Sequence, residues 1–92
     1  MRTEMTTLID KLVIANIPHE VTIQPYTNTL QVWYPSRDGA VCDVICHEFS
    51  YGGTKGLLEI MGLVDDGIDD DVEGYLTAVD VFARIYTHYM NH

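Results

Sequence analysis

Apolar residues recur at helical spacing at both ends of this chain and alternate with polar ones through its middle. From Thr3 to Ile14, the residues Met5, Leu8, Ile9, Leu12 and Val13 share one helical face, which predicts a first helix. Pro18 stops it, because the residue before a proline resists the helical region. Near the end, Val79, Phe82, Ala83, Tyr86, Tyr89 and Met90 fall three and four apart, predicting a helix to about Asn91 whose stripe the other elements pack against. Thr77 is a natural N-cap for that helix, and Asp80, three residues later, supplies a capping-box carboxylate in its first turn. Between the helices, three strands are expected at Glu20–Gln24, Leu30–Tyr34 and Ala40–Phe49, all rich in β-branched or aromatic residues. The turn chemistry of Tyr26 to Thr29 and Pro35 to Gly39 makes short loops, which join antiparallel neighbours into a meander.

Ser50-Tyr51-Gly52-Gly53 reads as a break, after which Thr54 caps a short helix to Met61 with Gly62 at its C-terminal end. An acidic loop over 65–71 and one helical turn closed by Gly74 then lead into the last helix. The expectation is a single α+β domain over residues 1–92, ordered α-β-β-β-α-α. It is a three-stranded antiparallel meander with the helices packed on one face. If Leu30, Val32 and Tyr34 point inward, Trp33 points outward by alternation. On the third strand, either Cys42, Val44 and Cys46 or Val41, Ile45 and Phe49 then face away from the helices. The result is an apolar patch around Trp33, a partner or homodimer surface unless the first helix or a terminus covers it.

Charge changes the picture more than composition does. The 92 residues carry a net charge of −9, split as −2 over residues 1–46 and −7 over residues 47–92. That sign opposes direct binding to a nucleic-acid backbone. It favours a basic partner surface or a divalent cation, although scattered acids also serve solubility. No run of eighteen apolar residues predicts a membrane span, and the N-terminal stretch lacks the pattern of a secretion signal. A cytoplasmic protein with Cys42 and Cys46 as reduced thiols is expected.

Asp69 to Asp80 can be laid on a calcium-binding loop, with Asp69, Asp71, Glu73 and Asp80 as ligands and Gly74 at the turn position. The fit departs from the pattern in having Glu at the fifth position, Asp at the twelfth and no second loop to pair with. Cys42, Cys46 and His47, with His88 and His92 one helical turn apart, are zinc-ligand types. On a continuous strand, however, the two cysteines stand about 13 Å apart, so they read as small buried residues. Gly52-Gly53-Thr54-Lys55-Gly56 lacks the order and spacing of a phosphate-binding loop. Cys46 and His47 point to opposite faces of a strand, leaving no nucleophile and base together. The chain is therefore not expected to be an enzyme.

Two segments, Cys46 to Leu63 (C-H-E-F-S-Y-G-G-T-K-G-L-L-E-I-M-G-L) and Val72 to Ile85 (V-E-G-Y-L-T-A-V-D-V-F-A-R-I), resemble small proteins encoded by phages, prophages and mobile elements of Gram-positive bacteria. The resemblance covers about the last half of the chain and implies no agreed activity. Small acidic proteins of this kind are often inhibitors or adaptors, among them anti-CRISPR proteins and DNA mimics. By that analogy, Asp65, Asp66, Asp69, Asp70, Asp71 and Glu73, with Trp33, are expected to engage a host protein whose basic surface binds nucleic acid, such as a defence nuclease. The alternatives are a calcium-binding module and a structural or assembly protein of the element.

Overall fold

The computed structural model describes residues 3–63 and 72–92. Among them, helix α1 (Glu4–Ile14) is followed by strands β1 (Glu20–Gln24), β2 (Thr29–Tyr34), β3 (Cys42–Ile45), β4 (Leu58–Met61) and β5 (Val72–Leu76), then helix α2 (Ala78–Asn91). The strands form one antiparallel sheet in sequence order, β1-β2-β3-β4-β5. The expected α+β class and meander are present, but the meander has five strands. Two segments read as helical are the cause. Thr54 to Met61 forms only a 3-10 turn at Gly53–Lys55 before entering β4, and the turn expected to end at Gly74 is β5. In β4 the alternation of buried Leu58 and Ile60 with Glu59 and Met61 decides the outcome, because pairing with β3 buries alternate residues.

Helix caps follow the expected chemistry. Thr77 Oγ1 accepts from the Asp80 amide while Asp80 accepts from the Thr77 amide, a reciprocal box repeated by Thr3 and Thr6 at α1. Glu4 adds a further carboxylate contact to α2, accepting from the Ala78 amide at 2.7 Å. This ties the first turn of α1 to the first turn of α2. At its other end, α1 stops through Asn16 in the left-handed region (φ 57°), two residues before Pro18.

Met5, Leu8 and Leu12 of α1 and Ala78, Val81 and Ile85 of α2 are buried against Val32, Tyr34, Cys42, Val44, Leu58, Ile60 and Leu76. Both helices therefore cover one sheet face. The buried stripe of α2 is rotated from the expected one: Val79, Tyr86, Tyr89 and Met90 are exposed and Phe82 is half-buried. The phase is set upstream, since β5 delivers Leu76 to the core and the tight cap at Thr77 turns Ala78 in behind it. A broad apolar helix surface leaves that rotation open when only spacing is read.

Candidate functional site

The sheet face turned away from the helices carries one cross-strand row running through Glu20, Trp33, Asp43, Met61 and Val72. It lies one residue off the buried row Val32, Val44 and Ile60, so alternation places it on the opposite face. Trp33 thus points outward as expected, and none of the described helices covers it. Its surroundings are more polar than expected. Trp33 Nε1 donates to Thr22 Oγ1 at 2.8 Å, and the Arg37 guanidinium sits 5.7 Å from the ring centre. The Arg37 amide donates to Glu20 Oε1. Beside the ring, Asp43 Oδ2 accepts from Gln31 Nε2 at 2.9 Å. Partial burial pushes the Asp43 carboxyl above the ordinary aspartate range, and the Gln31 hydrogen bond offsets part of that shift.

The strongly exposed aromatic residues of this face lie farther across, where the segment from His47 to Gly56 folds onto β5. Leu58 pairs with Leu76 but Ile60 pairs with Glu73, so Gly74 and Tyr75 together oppose the single residue Glu59. This is a β-bulge, with Tyr75 in the left-handed region (φ 60°). The 47–56 segment rests on it: Tyr75 N donates to Tyr51 O at 3.1 Å, and Tyr51 N donates to Glu59 Oε2 at 3.0 Å. Ser50, buried, accepts from the His47 amide and donates to the His47 carbonyl, which closes the segment on itself. Gly74 lies directly beneath Tyr51, and Gly52 (φ 89°) lies against the Tyr75 backbone, so both contacts exclude a side chain. Phe49, Tyr51, Glu59 and Val72 line the resulting cleft of about 410 Å³.

The predicted site residues fall in three places. Asp65, Asp66, Asp69, Asp70 and Asp71 lie outside the described residues. Glu73 is directed toward α2, where its Oε2 accepts from Arg84 Nη2 at 2.9 Å while Arg84 Nη1 reaches the Leu63 carbonyl. Trp33 belongs to the outer row. For the calcium pattern, Val72 to Leu76 is a paired strand, Glu73 is bound to Arg84, and Asp80 is engaged by Thr77 in the α2 capping box. Hydrogen bonds from the Thr77 backbone and side chain hold the Asp80 carboxyl below its ordinary range. Among the described residues, no three metal-ligating side chains converge. Cys42 is buried and its thiol is pushed up to about 12, by burial first and the Asp43 charge second. His88 Nδ1 lies 2.8 Å from the Tyr34 hydroxyl, and its ring stacks on that of His92. A groove of about 580 Å³ beside α2 is larger than the aromatic cleft, but its Arg84 and Asp80 are already engaged by Glu73 and Thr77.

Sequence reasoning missed Phe49, Tyr51, Asp43 and Glu59 as site residues. The available signal was F-S-Y-G-G, two aromatics flanking a small polar residue before glycines, in a stretch with no periodicity to bury them. Comparison of the chain with known protein families, with curated protein sequences and with solved structures finds no match in any of the three.

Proposed function

We propose that this chain is a non-enzymatic interaction protein of a mobile element, which docks on a basic, nucleic-acid-binding surface of a host protein. The single observation that supports this reading most is the outer row. Trp33, Asp43, Met61 and Val72 run across the sheet to the position where the acidic stretch 65–71 joins β5. An aromatic residue and the carboxylates of Glu20 and Asp43 thereby share one outer face of the sheet, whose last strand directly follows the most negative part of the sequence. A face of that composition complements arginine- and lysine-rich surfaces, and its charge accelerates encounter with them. Two copies of a chain of charge −9 repel one another, so a basic partner suits this face better than a second copy does. The resemblance of Cys46 to Leu63 and Val72 to Ile85 to phage and prophage proteins points to the same class, with a CRISPR or other defence nuclease as the kind of partner expected.

The test is affinity capture from host lysate, followed by binding measurements on the captured protein. Under this reading the complex weakens steeply with salt, nucleic acid competes for the partner, and the triple variant Asp69→Lys, Asp70→Lys, Asp71→Lys loses binding. A complex indifferent to salt and to that charge reversal would contradict it.

A further inference from the structure

Among the described residues, one carboxylate and two aromatic residues line a common cleft that no described lysine or arginine lines. Phe49 is 79% exposed and Tyr51 62% exposed, so both rings present apolar surface to solvent instead of to the core. Glu59 lines the same cleft. Its Oε2 accepts from the Tyr51 amide, which fixes the carboxylate's direction, and its Oε1 has no partner among the described residues. Of the described cations, Lys11 lies over Phe82, Arg37 over Trp33 and Arg84 on Glu73. Lys55, on the 3-10 turn of the same segment, forms no ion pair with Glu59.

We propose that this cleft receives an arginine side chain of a protein partner, with the guanidinium stacked on Tyr51 or Phe49 and hydrogen-bonded to Glu59. Each alternative occupant fails on chemistry. An anion meets a carboxylate, a metal ion finds a single ligand among the described residues, and a purely apolar group leaves the Glu59 charge without a partner in the interface. Arginine answers all three linings at once. Its planar guanidinium lies on an aromatic face, its forked donors match a carboxylate, and its stem covers Val72. The cleft is also built in advance, because the Ser50 closure, the Tyr75–Tyr51 hydrogen bond and the glycine contacts at Gly52 and Gly74 hold its walls without a ligand. The assignment deepens the docking reading above and rests on it, since it names the group by which a basic partner is held.

The probe is Nα-acetyl-L-arginine amide, titrated into the full chain and followed by NMR, with the neutral citrulline derivative as its isosteric control. The expected result is saturable shifts at Phe49, Tyr51, Glu59 and Val72 with arginine and none with citrulline. Glu59→Gln retains an oxygen for the Tyr51 amide but removes the charge, and should weaken binding about fivefold or more. Phe49→Ala, at an exposed position, should weaken it about two- to fivefold while leaving the amide spectrum folded. Equal binding of citrulline, shifts confined to other surfaces, or an unchanged affinity in Glu59→Gln would overturn the assignment. Its failure is distinguishable from that of the docking reading. A partner complex that is lost on reversing Asp69 to Asp71 but untouched by Glu59→Gln removes the arginine site alone.

Discussion

Gly74→Ala tests the way the outer face is assembled, because two effects of opposite sign meet at that residue. Gly74 does not have a positive φ, so alanine has access to the backbone conformation there. Restricting the unfolded chain would by itself stabilise the protein by about 0.4–1 kcal/mol. Against this, the added Cβ lands on Tyr51 Cβ and close to the Tyr51 carbonyl. The carbonyl is backbone, pinned by the Tyr75 amide and by the closure at Ser50, so no rotamer change relieves the overlap. Forcing a methyl into such a contact costs about 1–3 kcal/mol. Losing the Tyr75–Tyr51 hydrogen bond costs about 0.5–1.5 kcal/mol more. The clash wins, and the variant should be less stable by about 1–3 kcal/mol, with an unchanged urea m-value. For a chain of this size the melting temperature should fall by about 5–20 °C. Amide exchange supplies a local readout, since the Tyr75 N–H should lose protection before the amides of β3 do. A variant as stable as the parent, with Tyr75 still protected, would show that the 47–56 segment does not lie over β5 as described.

Ile85→Ala removes a fully buried side chain from the seam between α2 and the sheet, and equilibrium urea unfolding should register a loss of about 2–5 kcal/mol. Thr77→Ala deletes the α2 cap and should lower stability by about 1 kcal/mol at neutral pH. Because the folded Asp80 pKa is depressed, the box contributes fully above the unfolded aspartate value of about 4 and is lost as pH falls through the lower folded value. The gap between parent and variant should therefore shrink in acid. Asp43→Asn works in the other direction. Burial raises the Asp43 pKa, so the folded state binds protons more tightly than the unfolded one and stability declines as pH rises through that window. The variant should be more stable than the parent at pH 7, with Gln31 still donating to the new amide oxygen, and the advantage should vanish below about pH 4, where Asp43 is protonated in both states. Parallel melts at pH 7 and pH 3 check this, and equal stabilities at pH 7 would refute it.

The sequence was legible where one local rule acted alone. Thr77 and Asp80 specify a helix start by their own hydrogen bonds, and Val32, Trp33 and Tyr34 are β-branched and aromatic residues that favour a strand. It was misread where two rules compete. Thr54 to Gly62 carries a capping residue, apolar residues and a closing glycine, which is the vocabulary of a short helix. Yet only Gly53–Lys55 turns, and the partner strand β3 then draws Leu58–Met61 into the sheet, a long-range effect that no local window contains. Gly74 was read as a helix terminator because glycine usually marks an end, while its place here is set by Tyr51 lying across it. The aromatic cleft was invisible for the same reason. Phe49, Tyr51 and Glu59 come together only once β4 and β5 pair and the intervening segment folds back.

The bulge in β5 explains why the cleft is where it is. Leu76 and Glu73 are three residues apart, a spacing that puts side chains on opposite faces of an unbroken strand. Both are nevertheless needed on the helix side. Leu76 fills the core behind Leu58, and Glu73 reaches Arg84 on α2. One extra residue opposite Glu59 reconciles them by shifting the register between the Ile60 and Leu58 pairs. The same extra residue takes the backbone out of the regular ladder beside Glu59. It leaves the Tyr75 amide to be satisfied by the Tyr51 carbonyl, which draws the 47–56 segment over the strand and brings Phe49 and Tyr51 into the lining of the cleft. The packing of α2 and the shape of the outer face are therefore two results of one register shift. Any change that restores an unbroken β5, such as deleting one of Gly74 and Tyr75, forces a choice between losing Leu76 from the core and losing Glu73 from Arg84. In either case it removes the anchor that holds Tyr51 beside Glu59.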